Sequence, residues 1–150
     1  MSEQQPFFNI EKIYVKDLSL EVPNAPQIFM APEAPQLEVQ LSQSVQALDG
    51  AMFEVTLKVT VTAKAGDKTV FLVEAAQAGI FQIRNVPQPD MDSILGMVCP
   101  NVLFPYARET VSDTVNRAGF PPVLLAPVNF EALHQQRVAE QQGPKIEIAH

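Results

Sequence analysis

The clearest pattern along the chain is an alternation. Phe53, Val55, Leu57, Val59, Val61 and Ala63 take every second position, with Glu54, Thr56, Lys58, Thr60 and Thr62 between them. A period of two puts one set on each side of a β-strand, so this stretch predicts a strand with an apolar and a polar face. Leu37, Val39 and Leu41 alternate in the same way with Glu38, Gln40 and Ser42 and predict the strand before it. Asp49-Gly50 is a turn signal between the two runs, and Ala65-Gly-Asp-Lys68 closes a hairpin into the next. From Val70 to Gln77 both faces carry apolar residues. Phe71, Val73 and Ala75 lie on one, and Val70 and Leu72 accompany Glu74 on the other. Both sides of this strand should therefore be covered at least in part. Residues 79–83 read as its extension. Residues 8–22 predict the first strand. There Phe8 and Ile10 alternate, Ile13-Tyr14-Val15 breaks the phase as a bulge would, and Leu18, Leu20 and Val22 resume it opposite Asp17, Ser19 and Glu21.

Between the first two strands, Pro23, Pro26, Pro32 and Pro35 surround Ile28-Phe29-Met30. Proline cannot donate to a sheet ladder, so this is a long crossover rather than a strand. Asn85 to Asp92, with Pro87 and Pro89, reads as a loop, and Ser93 to Val98 as a short helical turn. The period then changes. Leu103, Ala107, Val111 and Val115 recur every fourth residue and make the apolar stripe of a long helix. Pro100 suits its first turn, Pro105 should kink it or delay its regular part, and Gly119 closes it. After a Pro-rich apolar link, Asn129 is a good N-cap for a second helix, Glu131 suits its positive end, and Phe130, Leu133 and Val138 form its apolar side. Four strands followed by two helices predict an α+β fold, a four-stranded antiparallel sheet with two C-terminal helices packed on one face. Residues 1–150 read as one domain, with 1–7 and 141–150 expected to be mobile tails. Two helices are too little cover for such a sheet, and self-association is the usual remedy.

Composition narrows the possibilities. The formal net charge is −7, which disfavours nucleic-acid binding and suits basic partners. The only cysteine is Cys99 and the only histidines are His134 and His150, so no disulfide within the chain is possible and a zinc site is not expected. No apolar run approaches the ~20 residues that span a bilayer, and the N-terminus lacks the basic-then-apolar order of a secretory signal. A soluble cytoplasmic protein without membrane insertion is expected. Thirteen prolines against six glycines imply stiff loops.

Chemistry is sparse. No Gly-x-Ser-x-Gly or Gly-rich phosphate loop is present, and neither histidine sits in a triad context. Cys99 precedes a helix-opening proline, where a helix dipole would activate a thiol; a small buried filler is the plainer reading. Asp90 and Asp92 are at most half of a metal site, with no evident other half, and a solvated acid pair in a loop is the plainer reading. Arg108 and Glu109 are adjacent on the long helix and read as a structural pair or cap. What remains is surface. Asp17 and Glu21 share one strand face, and Leu72 and Glu74 share another. If those strands are neighbours, the four make a flat acidic patch around one apolar residue, for which a solvated sheet face is the competing reading. Phe29, the Leu37/Val39/Leu41 face and the second helix would line an apolar groove, unless they are plain core.

Tyr14-Val-Lys-Asp-Leu-Ser-Leu-Glu-Val-Pro-Asn-Ala-Pro26, Cys99-Pro-Asn-Val-Leu-Phe-Pro-Tyr-Ala-Arg-Glu109 and Gly119-Phe-Pro through Pro127-Val-Asn-Phe-Glu-Ala-Leu133 are in order and compatibly spaced. Together they resemble the signatures of the SecB family of protein-export chaperones, from about Phe8 to about Leu133. The resemblance implies a cytosolic homotetramer, a dimer of dimers, with long helices sandwiched between eight-stranded layers. It implies binding of unfolded precursor proteins and delivery to SecA, the translocation motor ATPase, with no cofactor and no enzymatic activity. It places SecA binding on Asp17, Glu21, Leu72 and Glu74. It places the oligomer interface on Val73, Ala75 and Gln77, with the helix stripe Leu103, Ala107 and Val111. Client binding falls on Phe29, Leu37, Val39 and Leu41, and on Leu124, Val128, Leu133 and Val138 of the link and second helix. Members often carry aromatics along that helix where this chain has His134 and Arg137, and the C-terminal tail that touches SecA's zinc-binding region is short and nearly uncharged here. A SecB-like chaperone serving a toxin–antitoxin system, or a scaffold or small-ligand carrier on the same fold, is the alternative reading.

Overall fold

A computed structural model of the chain describes residues 5–30 and 33–142. The expected tails are described only in part. Residues 1–4 and 143–150 lie outside the described residues, whereas Phe7 already belongs to the first strand and the last helix reaches Gln142. The strands are β1 (Phe7–Glu21), β2 (Gln36–Ala47), β3 (Met52–Ala65) and β4 (Lys68–Arg84), antiparallel in the order β1-β4-β3-β2. The helical part comes next, as α1 (Gln88–Ser93), a π turn (Ile94–Val98), α2 (Cys99–Arg117) and α3 (Phe130–Gln142).

The predicted phase break in β1 is two bulges rather than one. The pairing of β1 with β4 slips between Ile10 and Lys12 and again between Val15 and Asp17, so Glu11 and Lys16 are the extra residues. Each bulge restores the side on which the next apolar residue falls. Phe8, Ile10, Ile13, Val15, Leu18 and Leu20 thus stand opposite Ile83, Phe81, Gly79, Gln77, Ala75 and Val73, all on one face. The turns use left-handed backbone where expected, with Gly50 at φ 72° and Gly66 at φ 65°.

That face carries the core. The α2 stripe Leu103, Ala107, Val111 and Val115 is fully buried, and so are Val55, Leu57, Val59 and Val61 of β3 and Val73, Ala75 and Phe81 of β4. α2 lies over β4 and β3 and barely reaches β1. Gly79 makes this close approach possible: a Cβ there would meet Phe81 at 2.9 Å and Leu103 at 3.1 Å. Gly119, at φ 98°, ends the helix, and the Phe120 N–H returns to the Val115 carbonyl at 3.3 Å.

The expected loop over residues 85–92 is largely helix. Pro87 and Pro89 read as breakers, yet Pro89 sits in the first turn of α1, where a missing N–H is no loss. The helical path then runs through the π turn into α2, with Pro100 in its first turn and Pro105 inside it. Pro100 has no N–H to offer the Gly96 carbonyl four residues back, and a local π turn just upstream absorbs that mismatch. α3 is capped as expected: Asn129 Oδ1 accepts from the Ala132 N–H at 2.9 Å. No helix among the described residues is long and apolar enough to cross a membrane.

Candidate binding surfaces

Two cavities flank β2. The first, of about 590 Å³, lies between the crossover, the start of β2, the start of β4 and the segment after α2. Phe29, Leu37, Phe71 and Phe120 line it. Phe120 stacks on Phe29 with ring centroids 5.0 Å apart, and Phe71 lies 5.1 Å from Phe120 on the inner side. The Phe29–Phe120 pair forms because Gly119 turns the chain back and Pro121 and Pro122 stiffen the link beyond Phe120. The second cavity, of about 620 Å³, lies at the other end of β2 and is the more polar of the two, with Ser42, Gln43, Ser44, Asp92, His134 and Arg137 set among Val45, Leu95, Gly96 and Val138. Between the two, Val39 is exposed on the same face of β2.

The expected groove residues divide between these places. Phe29 and Leu37 line the aromatic cavity, and Val138 lines the polar one. Leu41 and Leu133 pack against the core. Val128 lines a smaller pocket with Phe130 and Met97. Leu124 is 80% exposed because the link alternates, with Val123 and Leu125 turned inward. Phe71 and Phe120 were not anticipated. A Phe after a helix-closing Gly and before two prolines was the available signal, but its partner Phe29 lies far away in sequence.

The opposite face of the sheet is polar. Glu21 stands across from Leu72, Ser19 from Glu74, and Asp17 from Ala76. Asp17, Glu21, Leu72 and Glu74 therefore do share one face of adjacent strands. β3 adds what sequence reasoning missed: Lys58 pairs with Glu74 at 3.1 Å, and Thr60 donates to it at 3.3 Å. Beside this patch, Tyr14 and Lys16 of β1 reach across β4 to Glu54 of β3. The Tyr14 hydroxyl donates to the carboxylate, and Lys16 Nζ lies 2.8 Å from it. Ala76 and Ala78 of β4 are small enough to pass beneath and are buried. The second face of β4 is thus covered by side chains of its own sheet rather than by another layer. Burial first, and then the Glu54 contact, push the Tyr14 hydroxyl up to about 12. The Lys16 hydrogen bond first, and then that of Tyr14, hold the Glu54 carboxyl below its usual range.

The residues expected at the oligomer interface lie elsewhere than on the subunit's surface. Val73, Ala75, Leu103, Ala107 and Val111 are fully buried between α2 and the subunit's own sheet. Gln77 is 3% exposed, accepts from Thr110 Oγ1 at 3.0 Å and donates to the Tyr14 carbonyl at 3.2 Å. β1, by contrast, leaves a row of apolar side chains uncovered, from Leu20 at 37% exposed to Val15 at 46%.

The chemical candidates resolve plainly. Cys99 is buried, which pushes its thiol up to about 12 and away from reactivity at neutral pH. Asp90 and Asp92 gather no further ligands among the described residues. Arg108 lies over the Phe104 ring at 5.8 Å. The exposed apolar surfaces suit binding of extended apolar chain.

Relatives place the chain. The family model described as preprotein translocase subunit SecB matches residues 1–141. The protein-export protein SecB of Chromobacterium violaceum is 67% identical over 144 residues, covering 94% of this chain and 96% of that protein. That of Methylobacillus flagellatus is 67% identical over 139 residues, covering 93% and 88%. A SecB-like chaperone of Mycobacterium tuberculosis, solved with a peptide from an antitoxin, has the same fold at 19% identity, with a TM-score of 0.67 over 81% of this chain and 90% of that one. The chain belongs to the SecB family of protein-export chaperones.

Proposed function

We propose that this chain works as a holdase in the cytoplasm, binding unfolded precursor proteins along β2 and passing them to the SecA motor. The observation that carries this reading is the exposure of Leu37 and Val39 beside the open Phe29–Phe120 cavity, on the face where the central strands are sealed. An extended apolar segment gains by covering that strip, while a folded protein offers none. Each contact is modest. Grooves repeated on a homotetramer, a dimer of dimers, raise the effective concentration of the next contact. Capture of the unfolded state then delays folding by mass action.

The apolar row of β1 supports self-assembly, since single soluble subunits seldom leave such a row exposed. The buried Val73, Ala75 and Gln77, with the α2 stripe, influence assembly through the seating of α2 rather than by direct contact. The opposite face, with Asp17, Glu21, Leu72 and Glu74, is the SecA-docking surface in this reading. Its encounter with a basic surface is salt-sensitive, and Lys58 has to be displaced from Glu74 or shared.

Competition tests the groove. A reduced, unfolded protein should displace a labelled extended peptide, and the same protein in its folded state should not. Equal displacement by both would contradict the holdase and favour a carrier or scaffold. Charge reversal at Asp17 and Glu74 tests the other face: SecA binding should weaken and client binding persist. Equal loss of both would argue against two separate surfaces.

A further inference from the structure

The path from β1 to the aromatic cavity is set within a few residues. The pairing of β1 with β4 ends at Glu21, opposite Leu72. Val22 packs against the core, and Pro23 has no N–H with which to extend the ladder. Carried on, the same register would bring Asn24 opposite Thr69. There the Asn24 side chain does what the backbone has stopped doing: its Nδ2 donates to the Thr69 carbonyl at 2.9 Å. The Asn24 backbone carbonyl accepts from the Ile28 N–H at 2.8 Å, and the Phe29 and Met30 N–H groups return to the Pro26 and Gln27 carbonyls at 3.0 and 2.9 Å. One residue therefore fixes the foot of the crossover to β4 and starts the hydrogen-bonded turn that carries Phe29. Thr69 is followed in β4 by Val70 and Phe71, which line the cavity together with Ile28 and Phe29. The two walls are thus joined at Asn24 and Thr69, which stand behind the lining rather than in it. At the far end of the turn Phe29 is 45% exposed and leans on the Phe120 ring.

We propose that Asn24 is a positioning residue for the aromatic end of the client groove. It sets the separation between Phe29 and the Val70–Phe71 wall without touching the client. The inference rests on the holdase reading and names what gives that site its shape. The 3₁₀ turn Gln27–Phe29 is short, and such turns have poor hydrogen-bond geometry, so its place depends on how its ends are held. An aromatic side chain of a client packs well only when rings on both sides stand at the right separation. An aliphatic side chain lying on Val39 needs no such spacing. Asn is required at position 24 because it donates. An aspartate there has the same shape but only accepts, and would set its carboxylate against the Thr69 carbonyl.

The test uses the full chain in its native assembly and two labelled peptides that differ at one position, Phe or Leu, with binding read by fluorescence anisotropy. Asn24→Asp and Asn24→Ala should each weaken the Phe peptide about threefold, as expected for one lost hydrogen bond, and change the Leu peptide much less. In a Phe29→Ala background the same substitutions should cause no further loss, because Asn24 acts through Phe29. Backbone amide hydrogen exchange at Ile28 and Phe29 should be faster in Asn24→Asp than in the unmodified protein. An unchanged Phe peptide, an equal loss for the Leu peptide, a full loss that persists without Phe29, or unaltered exchange at Ile28 and Phe29 would each overturn the assignment. Failure of both variants to assemble would overturn it too, since Asn24 would then hold the subunit together rather than shape the cavity. If neither peptide binds the unmodified protein, the holdase reading fails and the positioning role with it. If both bind it and the variants bind them alike, only the positioning role fails.

Discussion

The middle strands and the edge strands of this sheet carry the same kinds of residue on the same face, and only the middle pair is covered. Val55, Val59 and Val61 of β3 and Val73 of β4 lie under α2 with no exposure, while Leu18 of β1 and Val39 of β2 are 44% and 45% exposed. Alternation alone does not distinguish them. The difference is the width of one helix, which spans two strands and leaves one uncovered on either side. The covered pair gives the subunit its stability. In the proposed reading the uncovered strands take two kinds of occupant: the apolar row of β1 a second copy, and β2, between an aromatic and a more polar cavity, varied extended chain.

Truncation sharpens that contrast most strongly. Leu103→Ala should cost about 2–5 kcal/mol in denaturant unfolding, whereas Val39→Ala should cost less than about 1 kcal/mol. Similar losses at both sites would erase the distinction between core and working surface. Next in size is Gly79→Ala. Its Cβ would press on the fully buried Phe81 and Leu103, which have nowhere to go, so about 1–3 kcal/mol should be lost. An unchanged unfolding midpoint would show that α2 is seated less tightly than described. Phe29→Ala should weaken an unfolded client by about tenfold with little change in the unfolding midpoint, since it removes half of an exposed aromatic stack. A large drop in stability instead would make Phe29 core after all.

The smallest effect is on the polar face and depends on pH. The folded chain holds the Glu54 carboxyl below the ordinary value of 4.5. The stability this contributes is present above that value and is lost as pH falls through the lowered folded one. Glu54→Gln should therefore flatten the acid limb of the stability curve below pH 4.5 and cost less than about 1 kcal/mol at neutrality. An unaltered acid limb would mean the Tyr14–Glu54–Lys16 bridge contributes nothing to holding β1 on the sheet.

What was legible in the chain was local. The period of two in β2 and β3, the fourfold spacing in α2, the Asn129 cap and the Gly119 stop each lie within a few residues, and each was placed correctly. The prolines at 87 and 89 misled because a breaker in mid-helix and an acceptable first-turn residue look alike until the helix start is known. The groove was legible as a set of candidates but not as a shape. Phe120 meets Phe29 only after the crossover, β2, β3, β4 and α2 are in place. Arg137 likewise meets the Gly96 carbonyl and Gln43 only once the last helix, the π turn and β2 are in place. The burial of Val73, Ala75 and Gln77 inside the subunit likewise depended on which face α2 would choose.

The native mass of the purified protein, alone and with a reduced, unfolded client, tests most directly whether the uncovered strands serve sister copies and clients. Four copies of the chain are expected, and the same four plus one client once the unfolded protein is added. A single copy whose mass does not change in the presence of that client would contradict it.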